Sequence, residues 1–215
     1  MEKKINTMIV EDQAMPRQLF ETIVKTNPKL NFVLSIDNAE IADICCFRHN
    51  ISLVLMDVVT KNGASGLAAA KKIKEKDKTI KIIIVTSMPE CSYINRAKSM
   101  GIEGFWYKEF DKEPISSLIE DVINGKIVYP DNKPEVSLGL AKGDEFTSRE
   151  LEILREVTGG YTNAEIAKSK GISEKRVRNI VACMLEKTGF KNRTELAVRA
   201  RESGIVILER KENDI

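Results

Sequence analysis

Short apolar runs recur along the first half of the chain, at residues 7–10, 32–36, 53–56, 81–85 and 104–107. Their length suits strands. Between them, residues 16–26, 40–48, 66–76 and 91–99 carry apolar positions at helical spacing, and a fifth such segment follows at 115–124. Runs such as Leu-Val-Leu-Met and Ile-Ile-Ile-Val are apolar at every position, the pattern of parallel strands covered by helices on both faces. The pattern therefore predicts five β/α repeats folded as a flavodoxin-like, doubly wound, five-stranded parallel α/β domain over residues 1–128.

The pattern stops after Asn124 and Gly125. Residues 129–143 hold two prolines and two glycines without periodicity and read as a linker. Beyond it, helix starts are marked by Thr147 with Glu150, Thr162 with Glu165, Ser173 alone, and Asn192 with Glu195. A Ser, Thr or Asn oxygen can accept from early backbone N–H groups while an acid three residues on bonds back to the cap. Residues 144–215 are thus predicted to be a small all-α domain.

Composition narrows the class. With 215 residues, 42% apolar and 31% charged, the chain suits two soluble domains. Met-Glu-Lys-Lys leads directly into the first apolar run, which predicts neither signal peptide nor spanning helix, hence a cytoplasmic protein without membrane association. Cys45, Cys46, Cys91 and Cys183 show no metal-ligand spacing and read as reduced thiols. The formal net charge is only +2, but between Lys168 and Arg193 eight basic residues face two acids, the electrostatics of a polyanion-binding surface. A second basic stretch, 71–81, reads as the solvated side of a helix.

Candidate chemistry gathers at strand ends. Glu11 and Asp12 follow the first predicted strand, Asp57 the third, Thr86 ends the fourth and Lys108 the fifth. In a sheet wound 2-1-3-4-5, strands 1 and 3 are neighbours and the ligand crevice opens where the winding reverses. Three carboxylates there repel unless a cation joins them, and a hard divalent ion with oxygen ligands, Mg²⁺, fits best. Glu11, Asp12, Asp57 and Val59 are the candidate metal positions. Asp57 can then attack a phosphoryl donor as nucleophile, with Lys108 and Thr86 neutralising the phosphoryl oxygens.

Glu11-Asp12, Asp57, Val85-Thr86-Ser87 and Tyr107-Lys108 together resemble the signature of two-component receiver domains, over roughly residues 4–126. The resemblance implies phosphorylation at Asp57 by a sensor histidine kinase, and it makes Phe105 the switch aromatic that moves inward as the Thr86 hydroxyl approaches the phosphoryl group. The chain departs from the family after Asp57. Val58 to Gly66 lacks the usual methionine-proline pair and is one residue longer, and Lys108 is followed by Glu109 rather than proline. Val59 and Met88 stand where relatives can carry polar side chains that position a hydrolytic water, which predicts slow self-dephosphorylation.

Residues 163–180 carry the small and apolar pattern of two short helices packed at a steep angle: Ile166, Ala167, Gly171, Ile172, Val177 and Ile180. The second helix would expose Lys175, Arg178, Asn179 and Ala182 toward a major groove. Residues 144–208 resemble the LuxR-type helix-turn-helix output domain of NarL/FixJ-class response regulators. By that resemblance Arg178 and Asn179 read bases, while Lys175, Arg176 and Lys187 touch phosphates. Arg176, Ile180 and Ala182 depart from the residues common in relatives.

The expectation is a DNA-binding response regulator, not an enzyme, in which phosphorylation frees the reading helix from the receiver and promotes a homodimer on paired half-sites of double-stranded DNA. Two other readings are an aspartate-nucleophile phosphohydrolase, for which no general acid near Asp57 is evident, and a pseudo-receiver transcription factor controlled by protein contacts alone.

Overall fold

A computed structural model describes residues 4–90, 92–109, 111, 113–131 and 134–208. They form two compact units, one of residues 4–87 and 94–131, the other of 88–93 and 134–208. The expected helix at 91–99 is described from Tyr93, and Cys91 lies outside the described residues.

The first unit runs β1 (Ile5–Val10), α1 (Ala14–Thr26), β2 (Leu30–Ile36), α2 (Ala42–Arg48), β3 (Leu53–Asp57), β4 (Val59–Thr60), β5 (Ala64–Ser65), α3 (Gly66–Lys76), β6 (Lys81–Thr86), α4 (Tyr93–Ser99), β7 (Gly104–Tyr107) and α5 (Ile115–Ile123). The main sheet is parallel, in the order β2-β1-β3-β6-β7, which is the doubly wound arrangement the apolar runs predict. Every residue of β3 and all but the first of β6 are buried. On one face Ile9, Leu53, Leu55, Ile83 and Val85 pack with Phe20 and Val24 of α1 and with Ile115, Leu118, Ile119 and Val122 of α5. The intervening Met8, Val10, Val54, Met56, Ile82 and Ile84 are fully buried as well, so both faces are covered, as continuous apolar strands require.

Helix α1 begins two residues before Pro16. Proline sits in the first turn, where its missing N–H would have no intrahelical partner. The loop after Asp57 is a closed structure rather than an open connection: β4 and β5 pair antiparallel, Val59 with Ser65 and Thr60 with Ala64, around Asn62 (φ 61°) and Gly63 (φ 74°). The chain returns so tightly that a Cβ on Gly66 would lie 1.8 Å from the Asp57 carbonyl oxygen. Gly66 N–H donates to Val58 O at 2.8 Å, and the Ser65 hydroxyl caps α3 by accepting from Ala68 N.

The second unit contains β8 (Ser137–Leu138), β9 (Ala141–Lys142), α6 (Ser148–Thr158), α7 (Asn163–Lys170), α8 (Glu174–Thr188) and α9 (Arg193–Ser203). The stretch read as a linker is thus not featureless. Its antiparallel β8–β9 pair places Val136, Leu138 and Ala141 in the helical unit's core beside Phe146, Leu154, Ile166, Val177, Met184 and Leu196. Thr147 with Glu150 and Thr162 with Glu165 close complete capping boxes. At the last helix Asn192 accepts from Glu195 N, but the Glu195 carboxylate takes the N–H of Lys191 instead of the cap's own. Cys45, Cys46 and Cys183 are free thiols, and burial pushes Cys46 up to about 12.

Gly66→Ala must shift backbone rather than a flexible side chain, so it is expected to destabilise the first unit by about 3 kcal/mol. Trp106 is the chain's single tryptophan and belongs to this unit, so its fluorescence during urea unfolding measures the loss.

Candidate phosphoacceptor site and nucleic-acid interface

The parallel order brings the carboxyl ends of β1 and β3 side by side, and the predicted acids converge there. Glu11, Asp12 and Asp57 each offer a carboxylate oxygen within 4.8 Å of the others. Glu11 is fully buried, Asp57 is 5% exposed and Asp12 is half-buried. Lys108, just past β7, sends its ammonium between two of them, 2.6 Å from Glu11 Oε2 and 2.8 Å from Asp57 Oδ2. Glu11 Oε1 accepts from Gln13 N at 3.0 Å, and Asp57 Oδ1 from Val58 N at 2.7 Å.

One ammonium therefore serves two buried carboxylates, with a third close by. Burial, reinforced by Glu11, outweighs the attraction of Lys108 and pushes the Asp57 carboxyl up to about 6. Burial pulls Lys108 down, yet the two carboxylates it bridges hold it above its ordinary value. A site left this negative suits a hard divalent cation with oxygen ligands. Glu11, Asp12 and Asp57 supply carboxylates, and Val59 could contribute only its main-chain carbonyl.

Thr86 ends β6, fully buried, and pairs in register with Tyr107; its carbonyl accepts from Lys108 N at 2.9 Å. Phe105 is fully buried, edge-on to Tyr107 with centroids 4.9 Å apart and stacked on Tyr129 at 6.3 Å. Tyr129 donates to Ile102 O at 2.8 Å and lies under the Lys98 ammonium. The linker reading passed over this ring, although an aromatic directly after the last repeat is a visible signal. Asp111 was also missed; its carboxylate accepts from Tyr107 N at 2.6 Å.

In the helical unit, α7 ends at Gly171 in the left-handed region (φ 63°), and Ser173 caps α8 by accepting from Arg176 N. Ile166, Ala167 and Val177 are buried at the helix pair's contact, joined by Val181 and Met184, while Ile180 is only half-buried. Lys175, Arg176, Arg178, Asn179 and Ala182 are exposed. Arg178 pairs with Glu174 along the helix surface at 3.0 Å.

Other cations of the basic stretch serve the fold. Lys187 uses its ammonium on the Glu150 carboxylate, at 2.9 and 3.0 Å, and on Glu145 O at 2.8 Å, over the Phe146 ring. Lys170 pairs with buried Glu156 at 2.9 Å. Arg193 binds Asn163 Oδ1 at 2.7 Å and the Tyr161 carbonyl. A phosphate contact from Lys187 would have to compete with Glu150.

Two known families match the chain, one over each unit. The family model for the response regulator receiver domain matches residues 7–120, and that for bacterial regulatory proteins of the luxR family matches residues 144–200. The transcriptional regulatory protein DesR of Bacillus subtilis (strain 168) is 31% identical over 201 residues, covering 93% of this chain and 98% of its own. A crystal structure of a DNA-binding response regulator of the LuxR family from Staphylococcus aureus is 26% identical, with a TM-score of 0.50 over 56% of this chain and 97% of that one. A structure of two RcsB dimers bound to two parallel DNAs is 18% identical with a TM-score of 0.60, covering 92% and 98%; it supports the fold. Among the described residues no helix is long and apolar enough to cross a membrane.

Burial pushes Glu150 upward, but the Thr147 N–H and the Lys187 ammonium outweigh it and hold the carboxyl below 4.5. Its folded value is depressed, so its contribution is present above 4.5 and fades as pH falls through the folded value. Lys187→Met is expected to cost about 1–3 kcal/mol near neutral pH, a gap that closes in acid. Lys175→Ala leaves stability unchanged; thermal unfolding by circular dichroism checks both.

Proposed function

The chain belongs to the LuxR-family response regulators of bacterial two-component systems, and from that premise we propose that phosphoryl transfer to Asp57 from a sensor histidine kinase controls dimerisation and DNA binding by the helix-turn-helix. The observation that carries this reading is the charge balance at Asp57: three carboxylates within 4.8 Å and one ammonium bridging two of them. Such a site favours a divalent cation and then an incoming group whose charge Lys108 can share.

Glu11, Asp12, Asp57 and the Val59 carbonyl would hold Mg²⁺. When bound, the cation neutralises charge on the phosphoryl oxygens. An Asp57 carboxylate oxygen attacks phosphorus as the phosphorus–nitrogen bond of the donor phosphohistidine breaks, and that electron pair stays on the imidazole nitrogen. Lys108 turns its ammonium to the new phosphoryl oxygens, and the Thr86 hydroxyl donates to them. Phe105, on the strand leading to Lys108, registers the rearrangement.

On the output side Arg178 and Asn179 read base edges, while Lys175 and Arg176 contact phosphates. The neighbouring RcsB structure is of dimers on DNA, and a two-fold dimer on paired half-sites is proposed for this chain as well.

Incubated with a small phosphodonor, wild type should gain one phosphoryl group by intact mass, dependent on Mg²⁺, and shift toward dimer in sedimentation. Asp57→Asn should do neither. The adduct should persist for minutes or longer, because Val59 and Met88 offer no side-chain group to orient water. An adduct that forms without any change in association would remove dimerisation from the proposal.

For DNA, Arg178→Ala should cost about 1–3 kcal/mol and relax base preference at one position, while Lys175→Ala and Arg176→Ala should weaken all sequences alike and each lower the salt slope by about one. Anisotropy titrations across salt concentrations, on duplexes selected from a random pool, distinguish the two behaviours.

A further inference from the structure

The loop that leaves Asp57 raises a specific problem. A divalent cation held by Glu11, Asp12 and Asp57 would, on the reading above, take a further ligand from Val59, which has only a main-chain carbonyl to give. A peptide free to rotate loses backbone entropy when it is fixed on a cation, and that loss weakens binding. This loop has no proline between Asp57 and Gly66 to restrict it, and a pairing of two two-residue strands is too short to be stable alone.

The restraint comes from Thr60. The residue is 2% exposed, and its hydroxyl accepts from Ala39 N at 2.9 Å while donating to Ala64 O at 3.1 Å. One hydroxyl thereby ties together both arms of the β4–β5 hairpin and the connection between β2 and α2. A second strap runs alongside it, from Lys61 N to Asp37 O at 3.0 Å. On the other side of Val59, Val58 is fixed through its carbonyl to Gly66 N and through its N–H to Asp57 Oδ1. Val59 is thus held between two anchored neighbours.

We infer that Thr60 is a positioning residue for the cation site: by strapping the hairpin to the β2–α2 connection it fixes the Val59 peptide and sets the affinity for the divalent ion. The inference rests on the phosphoacceptor reading above. Thr60 touches neither phosphoryl group nor cation. It acts as the outer partners of metal ligands do, by orienting a ligand before the ion arrives.

The test is calorimetric titration of the full chain with MgCl₂, for wild type, Thr60→Val and Thr60→Ser, with Asp12→Asn as the control for the site. Thr60→Val keeps the shape and removes the hydroxyl; it should weaken Mg²⁺ binding by about tenfold or more, within the range typical of lost outer partners. Thr60→Ser should bind as wild type does. In phosphorylation assays Thr60→Val should need correspondingly more Mg²⁺ for half-maximal rate yet reach the wild-type rate at saturation, a split that general damage to the site would not produce. Wild-type affinity in a folded Thr60→Val protein, judged by Trp106 fluorescence, overturns the inference. If Thr60→Val does not fold, Thr60→Ala decides. It removes the hydroxyl and leaves no methyl in its place, so the bonds to Ala39 N and Ala64 O are lost while the Lys61 N–Asp37 O strap stays. Weaker Mg²⁺ binding by folded Thr60→Ala supports the inference, and unchanged binding overturns it. Absence of Mg²⁺ binding by wild type itself would instead refute the phosphoacceptor reading, a result distinguishable from all of these.

Discussion

A single ammonium shared by two buried carboxylates is the interaction on which the first unit's chemistry depends. Lys108 lies within 2.8 Å of both Glu11 and Asp57, and the three side chains come from the ends of three different strands. The order β2-β1-β3-β6-β7 brings those ends to one edge of the sheet, so the sheet topology positions the site. The arrangement is also incomplete in charge. Burial and a neighbouring carboxylate push Asp57 up to about 6 despite Lys108, and under the proposed function a cation or an incoming phosphoryl group would redistribute the ammonium's contacts. Lys108 is fixed through its own N–H to the Thr86 carbonyl, which joins the ends of β6 and β7. Under the proposed function, a change in what Lys108 binds would therefore act on the strand that carries Phe105 and Tyr107.

How much of this the sequence reveals depends on the length of the signal. The apolar runs of β3 and β6 and the helix at Gly66–Lys76 are readable because burial on two faces leaves few polar positions, and because a helix of three turns repeats its pattern. The acids and Lys108 are readable for a related reason, since the end of a buried strand is a recognisable place. The β4–β5 and β8–β9 pairs are not readable: two residues per strand cannot establish alternation, and each pair exists only because it packs on something distant. Thr60 is held by Ala39, twenty-one positions away. Leu138 and Ala141 look like linker residues until the helical core they complete is assembled.

Charge shows the same divide. Counting basic residues between Lys168 and Arg193 identifies a stretch suited to a polyanion, but a count cannot separate cations aimed outward from cations spent inside. Lys170, Lys187 and Arg193 are engaged with Glu156, Glu150 and the Asn163–Tyr161 region. Each of these contacts fastens one helix of the output unit to another, and each lowers the charge left for DNA. Of the rest, Lys175, Arg176 and Arg178 are exposed together with Asn179 on the first turns of α8, and Lys168 and Lys191 are exposed outside it. On the proposed reading, base recognition comes from the short α8 surface, and the phosphates meet fewer cations than the count of the whole stretch suggests.

The loop after Asp57 shows how one constraint can be met by different chemistry. A proline restricts a peptide covalently, by closing its own ring, and does so whatever the rest of the chain is doing. Here the restriction is built from hydrogen bonds to Ala39 and Asp37, in the connection that follows β2. Such a restraint exists only while that connection is in place, so the order of the Asp57 loop is linked to the order of a segment that takes no part in the chemistry. Gly66 meets the complementary demand: with its α-carbon pressed on the Asp57 carbonyl, the hairpin cannot relax toward the acceptor without displacing the acceptor's own backbone. The loop is therefore tied on its outer side by reversible bonds to the β2–α2 connection and blocked on its inner side by contact with the acceptor's backbone.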